Sequence, residues 1–390
     1  MLRIQILFIL IIGATTACAE DDNPALGKNA ALKYWLAFAR AGQRPQPQER
    51  QAISRGFRFP ASPERAKIVE RYAGAMLEMQ RGAALSNCDW SLEFELDGPG
   101  TDLPHLIRII DLGRAATVCA RDHFDNGRLN EAVKLLTDTL RMGRHIEGGG
   151  WISSSMEGVL IDLATDSLAA LAPNLSKAQL NSLLEELNNL PAPATLPQVL
   201  RSTEKYTAKW VRGARSQYER KDKRQVTLST EMAILMKKLS AEEFDTEWKK
   251  YEIALEKVVA AAELPYDEFL KAGPALEQQF KDSGAVGKNL LPNIFRTRLA
   301  SEYISESMLM LKAGLRMILN NATDANGTRD PYGANKPYLF KKTKFGFTLE
   351  SAQIGQSTLT LEFGFDPAAD PLNPVPVKPP KPPLAQDEQF

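Results

Sequence analysis

Apolar residues recur at helical spacing from about residue 24 to 321, and the period then drops to two. Pro24 stands where a first helical turn would open. The helix predicted over 25–41 carries Leu32, Trp35, Leu36 and Ala39 on one face. Arg44-Pro45-Gln46-Pro47 breaks it. Ser62-Pro63-Glu64 combines a capping serine, an early proline and an acid, and starts a helix predicted to reach about Leu85. After an irregular stretch over 87–102, helices are expected over 103–125 and 128–147, joined at Asn126-Gly127. The second of these has one stripe of Leu129, Ala132, Val133, Leu136 and Leu140. Helices near 151–172 and 176–190 follow, and Pro191-Ala192-Pro193 ends the series. Long, charged helices are expected over 194–240. Ser240 and Glu243 form a capping-box pattern before 244–264, and Pro265 starts a helix that ends near Ser283-Gly284. A last long helix covers about 293–320. Its seam of Ile304, Met308, Leu311, Leu315 and Ile318 spans about two heptads, which suits a core stripe better than a partner coiled coil.

Beyond it, Tyr338 and Phe340 alternate with polar neighbours, as do Phe345, Phe347 and Leu349, and then Leu359, Leu361, Phe363 and Phe365. These are strands with one apolar face, the first two forming a hairpin across Lys341–Lys344. So small a sheet needs a packing partner, here the last helix. The pattern predicts a mainly α fold of helical hairpins with repeat-like packing, closed by a small antiparallel β-element. It divides the chain into residues 1–19, a helical body over 20–190, charged helices over 191–292, a long helix plus sheet over 293–365, and a tail over 366–390. The tail holds eight of the 24 prolines and is expected to be extended and disordered.

Residues 1–19 begin Met1-Leu2-Arg3, continue through an apolar run over 4–12, and end in Ala17-Cys18-Ala19. That is the pattern of a secretory signal peptide, so the mature chain is expected in the periplasm or cell envelope. Cys18 leaves two readings open: loss with the peptide after Ala19, or retention as a lipid-anchored cysteine. No second apolar run is long enough to span a membrane. Lysine plus arginine and aspartate plus glutamate balance at 48 each, and loss of Arg3 tips the mature chain just below neutrality. Such a chain has no field to draw in nucleic acid. In an oxidising compartment Cys88 and Cys119 invite a disulfide contributing roughly 3–4 kcal/mol. The equal alternative is a pair of buried free thiols.

Catalytic signatures are sparse. Ser202-Thr203-Glu204-Lys205 matches the S-x-x-K tetrad of penicillin-binding proteins, but the companion Lys-Thr-Gly and Ser-Asp-Asn are missing and the setting is a helix interior. His105, His123 and His145 lack partners at metal spacing, and capping or packing suits them. No phosphate loop, dinucleotide fingerprint or nucleophile elbow occurs, so no cofactor or metal is expected. Asp89-Trp90 is the best candidate surface site, with His105 at a helix start as a further candidate; the competing role for the first is a loop anchor built on the tryptophan.

Ala120, Gly127, Glu131 and Ala132 resemble the small-residue positions of a tetratricopeptide hairpin, with departures at His123 and Thr139. Four segments, Asn29-Ala30-Ala31-Leu32-Lys33-Tyr34-Trp35, Cys88-Asp89-Trp90, Leu103-Pro104-His105-Leu106 and Leu264-Pro265-Tyr266, resemble a family of uncharacterised exported bacterial proteins. That resemblance implies an all-helical, repeat-like body and an envelope location, and carries over no activity. Asp330-Pro331-Tyr332-Gly333, Lys336-Pro337-Tyr338 and Phe345-Gly346-Phe347 are similar to the closing β-hairpin of type II secretion pseudopilins, without the pilin-type leader. The expectation for function is a non-enzymatic interaction or scaffold module whose partner is another envelope protein. One alternative is an enzyme of envelope polymers using carboxylates such as Asp89, Glu93, Glu95 and Asp97. The other is a secretion-system accessory.

Overall fold

The computed structural model describes residues 26–94, 98, 101–146, 150–219, 235, 238–290, 294–333, 335–354 and 357–367. The segment over 1–19, read from sequence as a signal peptide, with Cys18, the acids Glu95 and Asp97, and residues 368–390 of the tail lie outside them. The described residues form twelve α-helices and one three-stranded sheet. The helices are α1 (Ala30–Ala41), α2 (Pro47–Ile53), α3 (Pro63–Ala83), α4 (Pro104–Asp125), α5 (Leu129–Arg144) and α6 (Gly150–Leu171), then α7 (Lys177–Asn188), α8 (Leu196–Glu219), α9 (Ala241–Ala262), α10 (Tyr266–Asp282), α11 (Gly284–Leu290) and α12 (Ile294–Leu319). The strands are β1 (Leu339–Lys342), β2 (Phe347–Ile354) and β3 (Ser357–Phe363), an antiparallel meander in the order β1-β2-β3.

Local capping chemistry sets the helix starts. The Ser62 hydroxyl accepts from the Arg65 amide at 3.1 Å with Pro63 in the first turn, as the sequence predicts. Full capping boxes open α7 at Ser176/Gln179 and α9 at Ser240/Glu243. Two starts differ from expectation. Asn29 caps α1, its side chain accepting from the Ala31 amide at 3.0 Å, so the helix opens five residues later than predicted. Pro47, read as part of a break, instead occupies the first turn of α2, where its missing N–H costs nothing.

The face of α1 is also reversed. Leu32, Trp35 and Leu36 are 39, 41 and 43% exposed, while Ala30, Ala31, Tyr34, Ala37 and Phe38 are buried. Both faces are apolar at helical spacing. The small residues of the second one allow a close approach to α3, where Tyr34 lies against Gly82.

Two hydrophobic cores result. The larger unites α1 to α7 with α12 and the sheet, joining Ile109 and Leu136 to Leu311, Leu315, Leu349 and Phe363. The smaller joins α8 to α11 with the first residue of α12, around Trp210, Tyr251, Phe269 and Val286. The α4–α5 pair is a helical hairpin turning at Gly127, which sits at φ +73°, with Ala120 and Ala132 fully buried. Helix α6 is apolar on nearly every side and packs on α4, α5, α8, α12 and β3. The seam of α12 lies in the larger core, as the core-stripe reading has it.

The sheet docks on α12 through Phe363, which stacks on Phe347 with ring centroids 4.7 Å apart. Gly314 of α12 faces Phe363 so closely that an added Cβ would collide with the ring. Alanine would add about 1 kcal/mol of helix propensity, but overpacking there costs about 1–3 kcal/mol. Gly314→Ala is therefore expected to lower the urea midpoint, and a raised midpoint would refute this docking.

Candidate functional site

The residues singled out from sequence do meet. Trp90 and His105 are buried and stack at 4.4 Å between centroids, and Asp89 stays exposed. The Trp90 indole N–H donates to the His145 carbonyl at 2.7 Å, and Tyr34 also stacks with Trp90. The Tyr34 hydroxyl meets His145 Nδ1 at 2.7 Å. Asn29 bonds both backbone groups of Asp89, at 2.8 and 2.9 Å, and an Asp89 carboxylate oxygen accepts from the Ser91 amide. Burial pushes His105 down to about 4, so it is neutral at physiological pH. This is a loop pinned to α1, α4 and α5 by an aromatic stack, the anchoring role weighed for Trp90. Cys88 and Cys119 are free thiols, and burial raises both to about 12. Cys119 packs on the core side of α4 beside Ala115 and Ala116, where it serves as a small hydrophobe.

A different region has the geometry of a site. Between α6, α12 and β3 lies a groove of about 730 Å³, a volume ordinary for a small-ligand site. Met156, Val159, Ile304 and Leu361 give it apolar walls. Asp162 and Asp166, one turn apart on α6, place two carboxylates on the same wall. Ser307 of α12 donates to Asp162 at 3.4 Å. Water reaches both acids, yet protein surrounds them on most sides. Burial raises Asp162, against the pull of Ser307. Burial and then the Asp162 charge push Asp166 up to about 6, while Arg58 pulls the other way. That guanidinium is already engaged by Glu362 at 2.8 Å.

Sequence reasoning missed this pair because α6 reads as a fully buried helix. The signal was there: 22 residues with no basic residue and three acids, Glu157, Asp162 and Asp166. Acids in such a helix must be paired, protonated or turned toward a cavity. Glu157 takes the first course, bonding the buried Arg144. Ser202 of the S-x-x-K tetrad lines a second cavity of about 600 Å³ with Ser153, Glu157 and Gln198, whereas Lys205 of the tetrad is exposed.

A third group of acids lies deeper. Glu306 of α12 is 0% exposed, and both its oxygens lack a hydrogen-bond partner. Asp330, also buried, accepts from the amides of Tyr332 at 2.8 Å and Ala352 at 2.6 Å, tying the segment before β1 to β2. Glu302 is held by Arg298 at 2.5 Å and by the Tyr332 hydroxyl. Burial, then the charges of Asp330 and Glu302, push Glu306 up to about 7. The Tyr338 hydroxyl lies near enough to favour the charged form, without making a formed hydrogen bond. Among the described residues no group of three histidine, cysteine or acidic side chains converges as metal ligands.

Compared with protein-family models, curated proteins and solved structures, the chain matches none, and its functional reading rests on this geometry.

Proposed function

We propose that the protein is a non-enzymatic binding module of the cell envelope and that the groove between α6, α12 and β3 is its working site. The observation that carries this reading is the groove itself. It has apolar walls from three elements of the larger core, with two carboxylates set one turn apart on a single helix. Such a site rests on rigid elements, as a binding site requires. The envelope location rests on the pattern of residues 1–19. Another envelope protein is the partner expected from sequence; the volume of the groove favours a small molecule as its direct occupant.

A photo-reactive amino acid at position 155, half-buried at the groove on α6, tests this in the producing cell. The expected result is an adduct of discrete mass that is absent with the same probe at exposed position 67 on α3, and is lost in Asp162→Asn/Asp166→Asn. Equal labelling at both positions would sink the proposal.

One observation favours an enzyme of envelope polymers instead. Asp166 is held near pH 6 beside a second carboxylate, a separation of roles that acid–base catalysis exploits. These are not the acids expected from sequence, since Asp89 and Glu93 are exposed and away from the groove. Release of soluble fragments from isolated envelope polymers by the pure protein, abolished in Asp166→Asn, would establish that reading and displace the first.

A further inference from the structure

We infer that the groove recognises a primary ammonium group carried on an apolar body, such as an alkylamine or the amine end of an amphiphile, with Asp162 and Asp166 as its counter-charges. The inference rests on the groove being the working site and names the chemistry of its occupant.

Charge comes first. Two carboxylates sit one turn apart with no lysine, arginine or histidine among the described residues that line the groove. Asp162 has one weak hydrogen bond, from Ser307 at 3.4 Å. Arg58, whose charge acts on Asp166, is bound to Glu362. An anion entering here meets repulsion. A neutral apolar guest strips water from the carboxylates and gives nothing back. A cation offsets both charges at once.

The kind of cation follows from the remaining groups. A divalent metal would need further ligands, and among the described residues no third acid, histidine or cysteine converges with the pair. A quaternary ammonium is usually held by a cage of aromatic faces, and Tyr303 is the one aromatic residue among the described residues that line the groove. A primary ammonium has three N–H donors. Two match the carboxylates, and hydroxyls of the lining, such as that of Thr360, are acceptors for the third. Met156, Val159, Ile304 and Leu361 then cover an apolar body rather than a hydrated one. The volume holds a molecule of small-ligand size.

The experiment is calorimetry on the mature chain with three probes of equal length: n-octylammonium, octanoate and octan-1-ol. Octylammonium is expected to bind roughly tenfold or more tightly than either of the others, because charge-assisted hydrogen bonds carry the difference. Asp162→Asn/Asp166→Asn should abolish that preference, and Thr360→Trp, which fills the groove from an exposed strand position, should abolish binding. Circular dichroism of both variants confirms that they fold. Equal binding of octylammonium and octan-1-ol, blocked by Thr360→Trp, would overturn the ammonium inference and leave the groove as a binding site. Failure of all three probes to bind, or binding of octylammonium indifferent to Thr360→Trp, would overturn the inference outright.

Discussion

Glu306→Gln is expected to stabilise the protein by about 3 kcal/mol at pH 8 and to change little at pH 4.5. A glutamate in the unfolded chain titrates near 4.5, whereas in the fold Glu306 keeps its proton to about pH 7. Between those values the unfolded state binds fewer protons than the native state, so stability falls as pH rises. Below pH 4.5 both states are protonated and no cost remains. Above pH 7 both are ionised, and the cost has levelled off at its full value. At about 1.4 kcal/mol per unit, a shift of this size is worth about 3 kcal/mol, undiluted by solvent because the side chain is fully buried. Glutamine has nearly the same shape and no charge, so the variant loses that slope. Urea denaturation of both proteins at pH 4.5, 6 and 8 checks this. Parallel stability profiles would show that Glu306 does not titrate in this window.

That acid centre also shows what was legible in the sequence. The alternation of Phe340, Phe347 and Leu349 predicts a hairpin across Lys341–Lys344, and the hairpin is there, with Phe340 opposite Leu349. Asp330-Pro331-Tyr332-Gly333 and Lys336-Pro337-Tyr338 stand out only by resemblance. Their role in enclosing Glu306 was not legible, because it needs α12 brought against a segment some 25 residues further on. Periodicity read α5 and α12 correctly because each has a single apolar face. It failed on α1, which has two, since only the partner helix decides which one is buried. Trp90 and His105 were picked out for their chemistry and turned out to meet in a stack. Asp162 and Asp166 carried the more informative pattern, acids in a helix without basic residues, but α6 is so apolar that they read as incidental.

Glu157→Ala is expected to cost about 3–5 kcal/mol. Arg144 near the end of α5 and Glu157 in α6 form an ion pair in which both side chains are less than a tenth exposed. Two such charges out of water are tolerable only together. Removing the carboxylate leaves a desolvated guanidinium with Lys312 of α12 close enough to add repulsion, since Arg144 already helps to depress that lysine. The loss therefore combines a broken hydrogen bond, an orphaned buried charge and the cavity left by the side chain. Arg144→Met/Glu157→Leu removes both charges while keeping volume, and is expected to recover most of the loss. Chemical denaturation of Glu157→Ala and of the double variant measures how much is recovered. Equal losses in Glu157→Ala and the double variant would mean that packing volume, rather than the buried charge, sets the stability of the α5–α6 junction.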